Sequence, residues 1–148
     1  MKNTIYLTAL TFVVSVFIFI SCSDSKEKSD LTPETTKPII AKTGVEIISM
    51  NDVTQKMAEP NMQILDVRSP EEFEDGHLKN AINMNVNGES FQSEVEKLSK
   101  ENPVIVYCKS GTRSTNASSQ MEAMGFKTIY NFTGGFSEWA ANGNEIEE

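Results

Sequence analysis

Four consecutive residues, Val104-Ile105-Val106-Tyr107, constrain this chain more than any other feature. They are β-branched and aromatic, and Pro103 sets them off. Such a run reads as a short buried strand. The segment after it reads as a helix. From Ser114 to Met124, Ala117, Met121 and Met124 recur at helical spacing, and Gly125 stands as a stop. Between strand and helix lies Cys108-Lys109-Ser110-Gly111-Thr112-Arg113. A cysteine therefore sits at a strand end, in a tight loop that feeds a helix.

The rest of the chain alternates in the same way. Strands are expected at Val45 to Ile48, Met62 to Val67, Ile82 to Asn85 and Lys127 to Asn131. Helices are expected at Asn51 to Ala58, from Ser69 to near Gly76, at Ser90 to Lys100 and at Gly135 to Ala141. Ser69-Pro70-Glu71-Glu72 carries a Ser N-cap, a Pro at the first position and a Glu at the third, which is a capping box. Phe91, Val95 and Leu98 share one face of their helix. Alternating strands and helices imply an α/β fold, with a mainly parallel central sheet and helices on both faces. Ligand sites in such sheets lie beyond the carboxyl ends of the strands. Cys108 falls there.

None of residues 109–113 is proline, so each backbone N–H in the loop is free to donate. Successive N–H groups in a turn form an anion-binding nest. The helix start adds partial positive charge, and Lys109 and Arg113 add full charges. A thiol in that field is biased toward thiolate, its nucleophilic form. Cys108 is thus the candidate nucleophile, and Lys109, Ser110, Gly111, Thr112 and Arg113 are the candidate substrate-binding residues. A buried structural cysteine is the competing reading. It leaves two cations, a glycine and a helix start unexplained. Arg113 serves either an anionic substrate or the loop's own carbonyls. The hydroxyls of Ser110, Thr112 and Ser114 serve either a group bound at the thiol or the helix start.

Charge and cysteine usage narrow the function further. The formal net charge is −8, with no internal basic cluster, so nucleic acid is not an expected partner. Glu145, Glu147 and Glu148 read as a solvated acidic stretch. The chain has two cysteines, Cys22 and Cys108, so no internal disulfide framework is expected. With no second thiol near Cys108, an outside acceptor must discharge any covalent intermediate formed on it. His77 is the single histidine, which excludes a histidine-based metal cluster. No metal or cofactor is called for.

Motifs outside the loop carry a family resemblance. Cys108 to Arg113 follows Cys-x-x-Gly-x-Arg, the active-site loop of rhodanese sulfurtransferases. Ile64-Leu65-Asp66-Val67-Arg68 is similar to that family's first internal strand, which ends in Asp-x-Arg. Glu71-Glu72-Phe73, Gly76-His77-Leu78 and Ala81-Ile82-Asn83 follow its motif order, and Gly134-Gly135-Phe136 with Trp139 matches its Gly-Gly-x-x-x-Trp. One departure is Lys79-Asn80, where the family has Pro-Gly; Asn tolerates the left-handed backbone such a turn uses.

The resemblance implies a rhodanese-like three-layer fold over residues 43–148. It implies a sulfurtransferase that moves a sulfane sulfur through a Cys108 persulfide. The donor would be a small sulfur-containing anion, of thiosulfate or polysulfide type, and the acceptor a thiol or cyanide. The loop is one residue shorter than that of tyrosine-phosphatase-type enzymes, which favours a single sulfur over a tetrahedral oxyanion. The alternatives are a non-enzymatic persulfide carrier, a tethered interaction module and, less consistent with the short loop, a phosphatase or arsenate reductase. His77 is expected to pack and hydrogen-bond rather than to pair with Cys108. Arg68 is expected to pair with Glu72 or Glu71, and Trp139, Phe136 and Phe132 to form a hydrophobic plug.

The first residues carry a separate signal. Lys2 precedes an apolar run from Ile5 to Ile20, an n-region and h-region of secretory type. Phe19-Ile20-Ser21-Cys22 then resembles a bacterial lipobox, with Phe19 in place of the usual Leu. The reading is a signal peptide over residues 1–21, lipidation at Cys22 and a polar tether over residues 22–42. An ordinary cleaved signal or an uncleaved anchor are the alternatives. All three place the domain outside the cytoplasm, and the first makes it a membrane-anchored lipoprotein. A tether of that length reaches ~25 Å as a flexible coil.

Overall fold

The computed structural model describes residues 44–148. The expected signal peptide, Cys22 and tether lie outside the described residues. Among the described residues, five strands form one sheet: β1 (Gly44–Ile48), β2 (Gln63–Asp66), β3 (Ile82–Asn83), β4 (Val104–Tyr107) and β5 (Thr128–Phe132). Five helices of the described residues connect or follow them: α1 (Met50–Lys56), α2 (Pro70–Glu74), α3 (Phe91–Val95), α4 (Thr112–Ala123) and α5 (Gly135–Ala141). The sheet order is β1-β5-β4-β2-β3, and every pairing is parallel.

The four residues of β4 are fully buried because the sheet is covered on both sides. Val104 and Val106 face a core shared with Phe91 and Val95 of α3 and Ala117 and Met121 of α4. Ile105 and Tyr107 face the opposite core, with Val53 of α1 and Trp139 of α5. The alternation along β4 thus sorts side chains between two cores, each buried aliphatic contributing about 1.5–3 kcal/mol. The expected plug is part of the second core: Phe132 and Trp139 are buried in it and Phe136 packs against it.

Topology places the site. From β2 the chain moves outward to β3, and from β4 it moves the other way to β5. The order therefore reverses between β2 and β4, and a crevice opens there beyond their carboxyl ends. The loops after these strands lie side by side, joined by the Val67 N–H donating to the Tyr107 carbonyl at 3.0 Å.

Local signals set most boundaries. Ser69 caps α2 with the full capping box, Glu72 closing it. Ser49 and Asp52 form a second such box at α1. Most boundaries shift from the sequence expectation by one or two residues, and two of the differences bear on the packing and the site. The helix expected from Ser90 to Lys100 stops at Val95. Beyond it the bonds tighten, Lys97 N–H to Glu94 and Leu98 N–H to Val95, while the Gln63 side chain holds both the N–H and the carbonyl of Ser99. Leu98 still packs on the core. Helix α4 begins at Thr112, two residues earlier than expected, so Thr112 and Arg113 belong to its first turn.

The acidic stretch is not simply solvated. Glu147 pairs with His77 through two backbone hydrogen bonds of 2.8 and 3.0 Å, and its carboxylate accepts from the Asn80 N–H at 2.8 Å. Lys79 Nζ reaches Glu145 at 3.3 Å. Asn80 takes the left-handed conformation, φ 60°. The Lys79-Asn80 departure therefore keeps the turn and also docks the acidic stretch on it.

Candidate active site

Cys108 follows β4 directly and is almost wholly buried, at 1% exposure. Burial alone pushes its thiol up. The backbone N–H groups of Ser114, Ser110 and Gly111 and the Ser114 hydroxyl outweigh that and hold it below its ordinary value. The Gly111 N–H stands 3.2 Å from Cys108 Sγ. Gly111 is one of the residues of the expected nest, and its N–H is the one that the hydrogen-bond geometry brings to the sulfur.

A second network fixes this loop from behind. Ser114 Oγ lies 3.0 Å from the Gly111 carbonyl and 2.8 Å from Asn131 Oδ1. Thr115 Oγ1 donates to the same carbonyl at 2.9 Å and accepts from Asn131 Nδ2 at 3.0 Å. Asn131 is buried on β5 and went unnoticed in the sequence; a polar residue inside an apolar strand was its one signal.

Helix α5 clamps the loop from the other side. The Phe136 N–H donates to the Cys108 carbonyl at 2.8 Å, and the Ser137 N–H donates to the Lys109 carbonyl at 3.1 Å. These bonds hold the carbonyls away from the thiol, so that N–H groups face it. Two glycines permit the approach. Gly135 sits at φ +63°, where a Cβ would strike the Cys108 carbonyl and come within 2.7 Å of the Lys109 oxygen. Gly111 sits at φ +94°, with the Thr133 carbonyl 2.6 Å from the place of a Cβ.

The two arginines are divided differently from the sequence expectation. Arg68 pairs with neither Glu71 nor Glu72. It grips Asp66, with Nε at 2.8 Å and Nη2 at 2.6 Å from Oδ2, and donates to the Gly76 carbonyl at 2.7 Å. Both partners are buried. The reason is local: at the end of β2 the backbone turns so that the Arg68 N–H also reaches Asp66 Oδ1, at 2.9 Å. Glu72 instead takes Arg113, at 2.5 and 2.8 Å, across the crevice between α2 and α4. The Arg113 hydrogen bonds pull the Glu72 carboxyl down to about 2.

Lys109, Ser110 and Thr112 are exposed at the rim. Lys109 makes no ion pair with a described residue. His77 stacks on Phe73, centroids 3.8 Å apart, and its Nδ1 lies 3.1 Å from the Phe73 carbonyl. Among the described residues no hydrogen bond joins it to Cys108, in keeping with the packing role expected of it. A cavity of about 170 Å³ opens beside the loop, lined by Arg68, Glu72, Asp75, Lys109 and Phe136.

This fold recurs in known proteins. Residues 49–142 match the Rhodanese-like domain family, and the chain belongs to that family. It is 33% identical over 95 residues to the thiosulfate sulfurtransferase GlpE of Coxiella burnetii, covering 64% of this chain and 87% of that protein. Among solved structures it resembles the polysulfide-sulfur transferase homodimer of Wolinella succinogenes, with a TM-score of 0.59 and 31% identity over 72% of this chain and 81% of that one. A rhodanese-related protein of Thermoplasma volcanium gives a TM-score of 0.60 at 25% identity, over 68% of this chain and 95% of that one.

Proposed function

We propose that this protein is a sulfurtransferase that works through a Cys108 persulfide. The observation that carries the reading is a buried thiol at the end of β4 with the Gly111 N–H 3.2 Å from its sulfur. Cys108 Sγ attacks the sulfane sulfur of a small anionic donor, of thiosulfate or polysulfide type. A new Sγ–S bond forms as the donor's S–S bond breaks, and the electron pair leaves with sulfite or the shortened polysulfide. The terminal sulfur carries the negative charge, which the loop N–H groups are placed to stabilise. A thiol or cyanide acceptor then attacks that sulfur and returns the pair to Sγ, a ping-pong scheme. Thiosulfate sulfurtransferase and polysulfide-sulfur transferase among the relatives support this chemistry.

Turnover of thiosulfate with cyanide tests the reading. Steady turnover that vanishes in Cys108→Ser, with an unchanged melting curve, is the expected result. Loading of one sulfur without turnover would make the protein a carrier. Activity surviving in Cys108→Ser would remove the thiol from the mechanism.

We also propose that the domain is tethered outside the cytoplasm through lipidated Cys22. The support is the Lys2 n-region, the Ile5 to Ile20 apolar run, the lipobox-like Cys22 and the polar stretch behind it. Cys22→Ala should shift the protein from the membrane fraction to a soluble one. A mutant that stays in the membrane with its leader uncut would make the segment a signal anchor.

A further inference from the structure

The cavity beside the loop has an unusual charge pattern. Four of its five lining residues are ionic, namely Arg68, Glu72, Asp75 and Lys109. Two of these charges are already neutralised. Arg68 is held by Asp66 and Glu72 by Arg113. That leaves one cation, Lys109, and one carboxylate, Asp75. Both are exposed, and neither forms an ion pair with a described residue. The fifth residue, Phe136, supplies an apolar wall, with Arg68 stacked 4.2 Å over its ring. At about 170 Å³ the cavity is smaller than the roughly 300 Å³ at which drug-sized pockets begin. A cavity of that volume suits a molecule no larger than a single amino acid.

The cavity adjoins the Cys108 loop through two residues. Lys109 follows Cys108 in the chain. Phe136, through its N–H, holds the Cys108 carbonyl. A small molecule seated here lies at the mouth of the loop.

We propose that this cavity selects a zwitterionic α-amino-acid thiol, of cysteine type, as the sulfur acceptor. Its ammonium faces Asp75, its carboxylate faces Lys109, and its methylene rests on Phe136. The inference rests on the sulfurtransferase reading above. The acceptor thiolate attacks the outer sulfur of the Cys108 persulfide. The new S–S bond forms as the Sγ–S bond breaks, and its electron pair returns to Sγ. The products are the amino-acid persulfide and the Cys108 thiolate, with no net oxidation.

Four acceptors separate the two charges: cysteine, cysteamine with the ammonium alone, 3-mercaptopropionate with the carboxylate alone, and 2-mercaptoethanol with neither. kcat/KM is compared at equal thiolate concentration with thiosulfate as donor. In the wild type, cysteine should exceed 2-mercaptoethanol about tenfold, as two partly exposed ion pairs provide. Each variant is then judged by ratios within itself, so a change in overall rate does not matter. Asp75→Asn should abolish the advantage of cysteamine over 2-mercaptoethanol and leave that of 3-mercaptopropionate. Lys109→Met should do the reverse. Wild-type rates that follow thiolate concentration alone overturn the proposal, as do variants that shift both ratios alike. Wild-type turnover with cyanide shows that sulfur transfer itself stands in those cases. If cyanide and every thiol fail, the sulfurtransferase reading falls, and this one with it.

Discussion

Glu72 and Arg113, 41 positions apart in the chain, form a two-pronged ion pair that ties α2 to the first turn of α4. The arginine after the cysteine loop is therefore committed to a carboxylate of its own protein. That pairing braces the first turn of α4 against α2, and Lys109 is left as the loop's unpaired cation among the described residues.

Kinetics should divide the two cations accordingly. Arg113→Ala and Glu72→Gln should both lower kcat, by up to about a hundredfold, because small misplacements of reacting groups cost that much. Lys109→Ala should instead raise the KM for thiosulfate, and added salt should raise it in the wild type. Equal KM effects from Lys109→Ala and Arg113→Ala would show that Arg113 also recruits substrate.

The same pair should appear in acid unfolding. The Glu72 carboxyl is held at about 2 in the fold, against an ordinary 4.5. A carboxyl lowered on folding adds stability that is complete above its unfolded value and fades as pH drops through its folded one. Wild-type stability should therefore decline between about pH 4.5 and 2 more steeply than that of Glu72→Gln. Parallel pH curves would mean that the pair contributes nothing in solution.

Asp66 and Arg68 are a buried pair, at 0% and 3% exposure. Removing one partner of such a pair strands a buried charge, at about 3–5 kcal/mol. Asp66→Ala should lose that much in denaturant unfolding. A loss under about 1 kcal/mol would mean that water or another group replaces the carboxylate.

Gly135→Ala tests the clamp of α5 on the loop. The added methyl meets the Cys108 and Lys109 carbonyls, and φ is +63°. The cost should exceed the roughly 1 kcal/mol range of ordinary Gly to Ala effects, and the Cys108 thiol should titrate higher as the N–H groups lose their aim. An unchanged alkylation profile for Cys108 would separate the clamp from the thiol.

The parts of this architecture that local chemistry dictates were legible in the sequence. Val104 to Tyr107 is apolar at each position because both sheet faces are covered, and Ser69 to Glu72 carries its whole capping box in four residues. The Cys108 loop was legible too, since strand, cysteine, glycine and helix are contiguous. What could not be read depends on contacts distant in sequence. The choice of Arg113 by Glu72 requires α2 and α4 to meet. The grip of Arg68 on Asp66 competes with two nearby glutamates and is decided by one backbone turn. Asn131 and Gly135 matter only because β5 and the start of α5 are folded against the loop.

The most direct measurement is intact and peptide mass spectrometry of the protein after incubation with thiosulfate. A persulfide adds one sulfur, ~32 Da, in the covalent scheme. The predicted result is that gain on the peptide containing Cys108, removed by cyanide or cysteine and absent in Cys108→Ser. No gain on that peptide while thiosulfate is being turned over would contradict the account.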